Sequence, residues 1–317
     1  DHADGYAVLY NAAGDYSVIF RIENPVLQWS GDAALYDEFH SFYSNILKLL
    51  GKGYILQKQD LFFRKKYHHV CDNDDYLDNE YFKLFEGREY TETETYLILT
   101  REVKRSFFTY DEDAWDTFQA NITRLLQMFD SKGYTVNTLD KKATENYLHK
   151  YCSLNFDDEQ LAFDNFKSTR KKFWIGDREA RIMSLVDIDS VDVPTVVNCS
   201  RQEEYGEFQF PVDLFSFLPS IPEVDTLIYN QILFMPDQLA VQTKLMTKSK
   251  RHHSVPDAGN DMAIEDISAM LGDMARYGKL AVYSHFNFTL VGRGNLDKAC
   301  NTLIGMLNSR CGVYPSK

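Results

Sequence analysis

Apolar residues recur along this chain with two periods. Leu35, Phe39, Phe42, Ile46 and Leu49 are spaced by four, three, four and three residues, which places them on one helical face. Asp32 can cap that helix, and Gly51 and Gly53 supply its stop. Trp115, Phe118, Ile122, Leu125 and Phe129 repeat the pattern between Asp111, a second cap, and Gly133, a second stop. Strands are predicted at 18–22 and 54–63, with a short one at 6–10 joined to the first by the turn Ala13-Gly14-Asp15. Tyr96-Leu97-Ile98-Leu99 is a continuous apolar run, as in a strand buried on both faces. A short strand follows at 134–138, and Asp140 opens a helix with Tyr147 and Tyr151 inward. Residues 16–138 therefore predict strand–helix–strand twice over, the split βαβ arrangement of the ferredoxin-like fold.

The rest of the chain is less regular before it becomes ordered again. Residues 153–170 are polar. Predicted strands at 173–175 and 180–186 flank Gly176-Asp177, a hairpin signal. Pro194, Pro211, Pro219 and Pro222 then argue against long regular elements. A strand at 225–235, a helix at 238–247 and a stripe of Ile264, Ile267, Leu271 and Met274 ended by Gly278 come next. The stretch 279–291 alternates: Leu280, Val282, Phe286, Phe288 and Leu290 face one way, Tyr283, His285, Asn287 and Thr289 the other. A final helix carries Leu296, Ala299, Leu303 and Leu307. This is most of a second ferredoxin-like unit, its missing strand supplied by the 173–186 hairpin. The predicted class is α+β, with antiparallel sheets, helices on one face and two ferredoxin-like units. The first occupies 1–152, with an acidic excursion at 72–94. An irregular connector spans 153–223, and the second unit spans 224–317.

Charge narrows the function. The chain has 317 residues, 44% hydrophobic and 26% charged, with 34 Lys and Arg against 47 Asp and Glu for a net −13. Phosphate-tracking proteins show the opposite balance, so binding of nucleic acid by the whole surface is disfavoured. Residues 72–94 alone hold nine acids against Lys83 and Arg88. No apolar run approaches the ~18 residues of a spanning helix. The chain starts at Asp1 without Met or an apolar leader and stops at Lys317, just past an expected strand, which reads as a piece of a longer protein. Cys71, Cys152, Cys199, Cys300 and Cys311 are odd in number and contain no CxxC pair, which fits a reducing compartment. In such a compartment the sequons at Asn121, Asn198 and Asn287 carry no glycan.

The chemical signatures are mostly negative. There is no phosphate-binding G-x-x-x-x-G-K-[ST] loop, no G-x-S-x-G elbow and no HExxH helix. Gly292-Arg293-Gly294 reads as a strand-to-helix turn. The doublets His68-His69 and His252-His253 diverge on any regular element and make poor chelates. Asp187-x-Asp189-x-x-Asp192 and Asp72-Asn73-Asp74-Asp75 lack the Gly and the bidentate Glu of a calcium loop. No catalytic, cofactor-binding or metal-binding residue is assigned. One positive patch stands out: Lys244, Lys248, Lys250 and Arg251, followed by His252 and His253, with no acid at 244–253. It reads either as a solvated helix end or as a contact to an anionic partner, an acidic subunit surface or lipid headgroups. Lys167, Arg170, Lys171 and Lys172 form a second cluster.

Several stretches in order resemble a known family. They are Tyr16-Ser-Val-Ile-Phe-Arg-Ile-Glu-Asn-Pro25, the helix after Asp32, Gly53-Tyr-Ile-Leu-Gln-Lys-Gln-Asp60 with Tyr67, and Tyr81-Phe-Lys-Leu-Phe-Glu-Gly-Arg-Glu-Tyr90 leading into Tyr96-Leu-Ile-Leu-Thr100. Near the other end come Ser284-His-Phe-Asn-Phe-Thr-Leu-Val-Gly292 and Gly312-Val-Tyr-Pro-Ser316. The succession resembles the N-terminal region of the TraG family, the conjugation ATPases of Bacteroides-type conjugative transposons, similar to the VirB-type and TrbE/CagE-type ATPases of type IV secretion. The resemblance implies a cytoplasmic ATPase held peripherally on the inner membrane, with ATP and Mg bound downstream of this chain and no cofactor within it. It implies a non-catalytic docking and assembly role here, with other secretion subunits and inner-membrane components as partners and self-association in the intact protein. No tight nucleic-acid binding is expected. The alternative is a ferredoxin-like nucleic-acid module that stacks bases on exposed aromatics such as Tyr283.

Overall fold

Asp32 accepts a hydrogen bond from the Ala34 amide at 2.9 Å and starts α1 (Ala33–Leu50), and Gly51 ends it at φ 67°. That cap is worth about 1 kcal/mol. The buried face of α1 is Tyr36, Phe39, Phe42, Ile46 and Leu50. Leu35 and Leu49 are only half-buried, so the stripe is rotated slightly from the predicted one. The computed structural model describes residues 2–3, 5–28, 31–68, 76–103, 112–156, 165–184, 200–255 and 257–311. Asp111, Asn198, Cys71, Cys199, the Asp72 and Asp187 acidic clusters and residues 312–317 lie outside them.

The described chain is α+β, with seven α-helices and a large antiparallel sheet. In chain order its elements begin with β1 (His2–Ala3), β2 (Tyr6–Ala7), β3 (Leu9–Tyr10) and β4 (Tyr16–Ile22), then α1, β5 (Tyr54–Lys66), α2 (Tyr76–Lys83) and β6 (Glu89–Arg101). Next come α3 (Glu112–Ser131), β7 (Val136–Thr138), α4 (Lys141–Ser153), β8 (Phe166–Ser168), β9 (Phe173–Ile175) and β10 (Arg178–Ser184). The last are β11 (Ser200–Tyr205), β12 (Phe208–Asp213), β13 (Thr226–Phe234), α5 (Gln238–His253), α6 (Ala258–Tyr277), β14 (Tyr283–Gly292) and α7 (Asp297–Cys311).

Ten strands share one sheet in the order β3–β4–β6–β5–β13–β14–β10–β9–β8, with β7 also on β4. The strands of residues 16–138 lie side by side as β7–β4–β6–β5. The 173–186 hairpin does supply a neighbour for β14, through β10. The sheet is continuous from one half to the other, because β13 pairs with β5 from Thr226↔Phe63 to Phe234↔Ile55 and with β14 on its far edge.

Alternation along the strands sorts the core onto two faces. One face carries Val18, Phe20, Leu56, Leu97 and Leu99 beneath α1 and α3, and farther along Leu227, Phe288 and Leu290 beneath α7. The opposite face carries Ile19, Leu61, Phe63 and Ile228, and Tyr147 of α4 packs there. On that face an amide network ties the seam. Gln57 and Gln59 both donate to Asn230 Oδ1 (3.0 and 2.7 Å), Asn230 donates to Asn287 Oδ1 (2.8 Å), and the Tyr147 hydroxyl donates to Gln59 Oε1 at 2.6 Å. Each buried amide thereby keeps a partner, which avoids the cost of an orphaned polar group.

Several boundaries differ from the pattern reading, three of them by four or more residues. The strand β6 begins at Glu89, inside the acidic stretch, because its acids find cations on neighbouring strands: Glu92 meets Lys65 at 2.7 Å and Glu94 meets Arg21 at 2.8 Å. The strand β14 begins at Tyr283 rather than 279. Just before it the Gln238 side chain brackets the Ala281 backbone, donating to its carbonyl and accepting from its amide, both at 2.9 Å. The helix α5 runs on to His253, through the whole basic stretch.

Candidate functional site

Lys244, Lys248, Lys250 and Arg251 lie on α5, and all four are exposed. Spacings of four and three put Lys244, Lys248 and Arg251 on one flank. Lys250 shares another flank with Leu239 and Met246 at spacings of seven and four. Those two apolar residues are 72% and 54% exposed. Among the described residues none of the four cations meets a carboxylate within 4.0 Å. His252 is engaged, its Nδ1 lying 2.6 Å from Asn260 Oδ1 on α6.

The two helices form an antiparallel pair with a core of Val241, Leu245, Met274 and Ala281. On α6 the residues Met262, Asp266, Met270, Asp273 and Tyr277, at spacings of four, four, three and four, make a stripe that is exposed except at the half-buried Asp273. Met262 and Tyr277 are 67% and 68% exposed. The pair therefore exposes apolar side chains among its charges.

The other candidates separate. Lys172 is turned to Glu179 at 3.2 Å, and Arg181 bonds both Glu179 and Asp297, so part of the second basic cluster serves an internal network. His68 pairs with Glu86 at 2.7 Å, while His69 lies outside the described residues. A Cβ at Gly292 would meet Leu296 Cδ2 at 3.0 Å and the Glu223 carbonyl oxygen at 3.2 Å, so that glycine serves close packing where β14 turns toward α7. Asn121 is buried and donates to the Tyr54 hydroxyl at 2.9 Å, and the half-buried Asn287 accepts from Asn230 in the seam network. Tyr283 is exposed at the start of β14. Among the described residues no three His, Cys, Asp or Glu side chains are placed to hold a metal, there is no disulfide, and no helix is long and apolar enough to cross a membrane.

A second site has no counterpart in the pattern reading. A cavity of about 760 Å³ opens on the α1 face of the sheet. Its floor is the β5–β13 seam, with Lys58, Asp60, Phe62, Tyr229 and Leu233. One wall is α1, with Phe39, Tyr43 and Leu47, and the other is the end of β12, with Asp213, and the segment after it, with Phe215 and Leu218. Lys58 Nζ lies 2.5 Å from Asp60 Oδ2, and Asp60 Oδ1 accepts from Thr95 Oγ1 at 2.7 Å. Asp213 accepts from the Phe215 amide at 3.0 Å. Burial pushes its carboxyl above the ordinary range, opposed by the Lys58 charge. Burial and the Asp60 charge push the Tyr43 hydroxyl upward, and among the described residues that buried oxygen has no hydrogen-bond partner. Tyr229 is raised by burial and by both acids.

One signal for this cavity was present in the sequence. Lys58 and Asp60 fall on the same face of β5 as Leu56 and Phe62, where alternation calls for apolar residues. Asp213 is far away in the chain, and nothing local announces it.

The Asp213 shift has a consequence for stability. An unperturbed carboxyl titrates near about 3.9, and the folded chain holds the Asp213 proton to higher pH. Below the unfolded value both states are protonated and the group contributes nothing. Above it the unfolded chain ionises first, so stability falls as pH rises through the window. Asp213→Asn removes that loss. The variant is expected to be more stable than the parent at neutral pH, by about 1.4 kcal/mol for each pH unit of the window, and level with it below about pH 4. Urea melts across pH check this, and a difference independent of pH would contradict it.

No protein-family model matches this chain, and no curated protein is significantly similar to it.

Proposed function

We propose that this chain is the docking and assembly module of a conjugative-transfer ATPase of the TraG type, two ferredoxin-like units merged into one sheet that join the motor to inner-membrane components and neighbouring subunits. The observation that carries the reading is the α5–α6 pair. A helix pair whose only function was to cover a core would be polar on its outside; this one exposes Leu239, Met246, Met262 and Met270, and α5 carries four exposed cations without a carboxylate partner among the described residues. Exposed apolar residues amid charge mark protein-contact surfaces. The strand order β7–β4–β6–β5 and the ordered resemblance at both ends of the chain support the same reading.

A photo-crosslinking residue at Met246 or Met262 of the intact ATPase, in cells carrying the transfer system, is expected to give adducts with transfer-apparatus subunits or a second copy. Adducts equal to those from a control site such as Lys141 would sink the docking reading. The purified chain is expected to turn over ATP with Mg at background, and turnover above background would contradict a non-catalytic module. Tyr283 keeps a nucleic-acid reading testable by salt titration, where micromolar binding with a steep salt slope would favour it.

A further inference from the structure

We infer that the cavity between α1 and the segment after β12 binds an organic ammonium group, held by the carboxylates of Asp213 and Asp60 with the Tyr43 hydroxyl oxygen as a third acceptor. This inference is independent of the docking role of α5–α6, and either can fail alone.

The lining carries Lys48, Lys58 and Lys279 against Asp60 and Asp213, so it is the pairing of these charges, with Lys58 on Asp60 and Lys279 on Asp273, that points to a cation at Asp213. Lys58, Asp60 and Asp213 line it together, and the charges of Lys58 and Asp60 both reach the Asp213 carboxyl. Lys58 lies against Asp60 at 2.5 Å, and among the described residues no ammonium lies within 4.0 Å of Asp213, which keeps its backbone hydrogen bond. Two carboxylates around one ammonium make an anionic centre in a half-enclosed, largely apolar space. A second cation entering there gains from both acids, whereas an anion is repelled by both.

The shape and chemistry of the walls agree. The volume lies in the range of small-molecule sites, which combine apolar walls with a few convergent polar groups. Tyr43, Tyr229 and Phe215 line it, and aromatic faces attract ammonium ions. An ammonium brings three N–H donors, and the Tyr43 oxygen is a buried acceptor that none of the described residues satisfies. The outer lining carries exposed Lys48, His40 and Lys279, the last paired with Asp273 at 2.7 Å. Cations there disfavour a polyamine and select a ligand with one ammonium and an apolar body. A free amine and a lysine side chain presented by a partner share that chemistry.

The test uses the whole chain and four probes: phenethylamine, 2-phenylethanol, 3-phenylpropionate and N-acetyl-lysine methylamide, titrated by calorimetry near neutral pH. At least one of the two amines is expected to bind saturably, with one ligand per chain, and at least about tenfold tighter than the alcohol and the carboxylate. If the lysine derivative binds as well as phenethylamine or better, the source is a partner's lysine; if phenethylamine alone binds, it is a free amine. Asp213→Asn is expected to reduce amine binding to the level of the alcohol, and Tyr43→Phe to weaken it several-fold. Should either variant fold poorly, amide shifts of Phe215 and Leu233 in the unaltered chain report the site directly, and both are expected to move with the amine. Absence of saturable amine binding, equal affinity for amine and alcohol, tighter binding of the carboxylate, or shifts confined to other residues would each overturn the inference.

Discussion

If the chain is the docking module proposed above and its basic patch meets an anionic partner, replacing Lys248, Lys250 and Arg251 together with Glu in the intact protein is expected to lower conjugative transfer by about a hundredfold or more, since each reversal turns an attraction into a repulsion at that contact. The fold should change far less. All three side chains are exposed and free of carboxylate partners among the described residues, so no internal ion pair is lost. They do sit in the last turns of α5, where cations favour the helix dipole by about 0.3–1 kcal/mol each. That cost would fray the α5–α6 pair before it touched the sheet. A triple Gln variant separates the two effects, because it removes the charge without reversing it and is expected to show an intermediate loss. The flanks can be told apart as well. Lys248 and Arg251 lie on one side of the helix, while Lys250 shares the other with Leu239 and Met246. If the partner reads the cationic flank, the double Glu variant reproduces most of the triple effect and Lys250→Glu little of it. Normal transfer in the triple Glu variant leaves a solvated helix end as the whole account of the patch.

What was legible in the sequence follows from what is local. The helices α1 and α3 announce themselves because each buries one stripe, so the 3.6-residue period survives in full from Phe39 to Ile46 and from Phe118 to Phe129. The strand β6 was legible only at Tyr96–Leu99. Its first half is exposed at Glu89 and Tyr90, and its acids are matched by Lys65 and Arg21 on other strands, a compensation that no window of one segment can show. The Gln238–Ala281 bonds that precede β14 are likewise contacts across 43 residues. The basic patch could be found from composition, because four cations without an acid are a local fact. The cavity could not, because it exists only where β5, α1 and the segment after β12 come together. Its single trace, a Lys-x-Asp between Leu56 and Phe62 on one strand face, is also what an exposed strand edge would carry.

Phe118→Ala and Leu290→Ala are expected to shift one shared unfolding transition, although they lie in opposite halves of the chain. Both side chains are fully buried. Removing them leaves cavities that cost about 3–5 kcal/mol for the phenylalanine and about 2–5 kcal/mol for the leucine. Whether each loss is felt throughout depends on β13. That strand comes from the second half and is bonded along nine residue pairs to β5 of the first. The Gln57–Gln59–Asn230–Asn287 amides cross the same seam. Pulling the halves apart would expose a long strand edge and strand those amides without partners, at about 1–3 kcal/mol for each unsatisfied group. A state with one half folded is therefore high in free energy, and the two halves should melt together. Trp115 packs beside Phe118, with ring centroids 6.1 Å apart, and Trp174 sits in β9 opposite Glu179 of β10. Variants in which Trp29 and one of these two tryptophans are replaced, followed by fluorescence in urea, are expected to give the same midpoint from either reporter, lowered by either core substitution. Two midpoints, with Phe118→Ala moving only the Trp115 signal and Leu290→Ala only that of Trp174, would mean that the seam joins two independently stable halves.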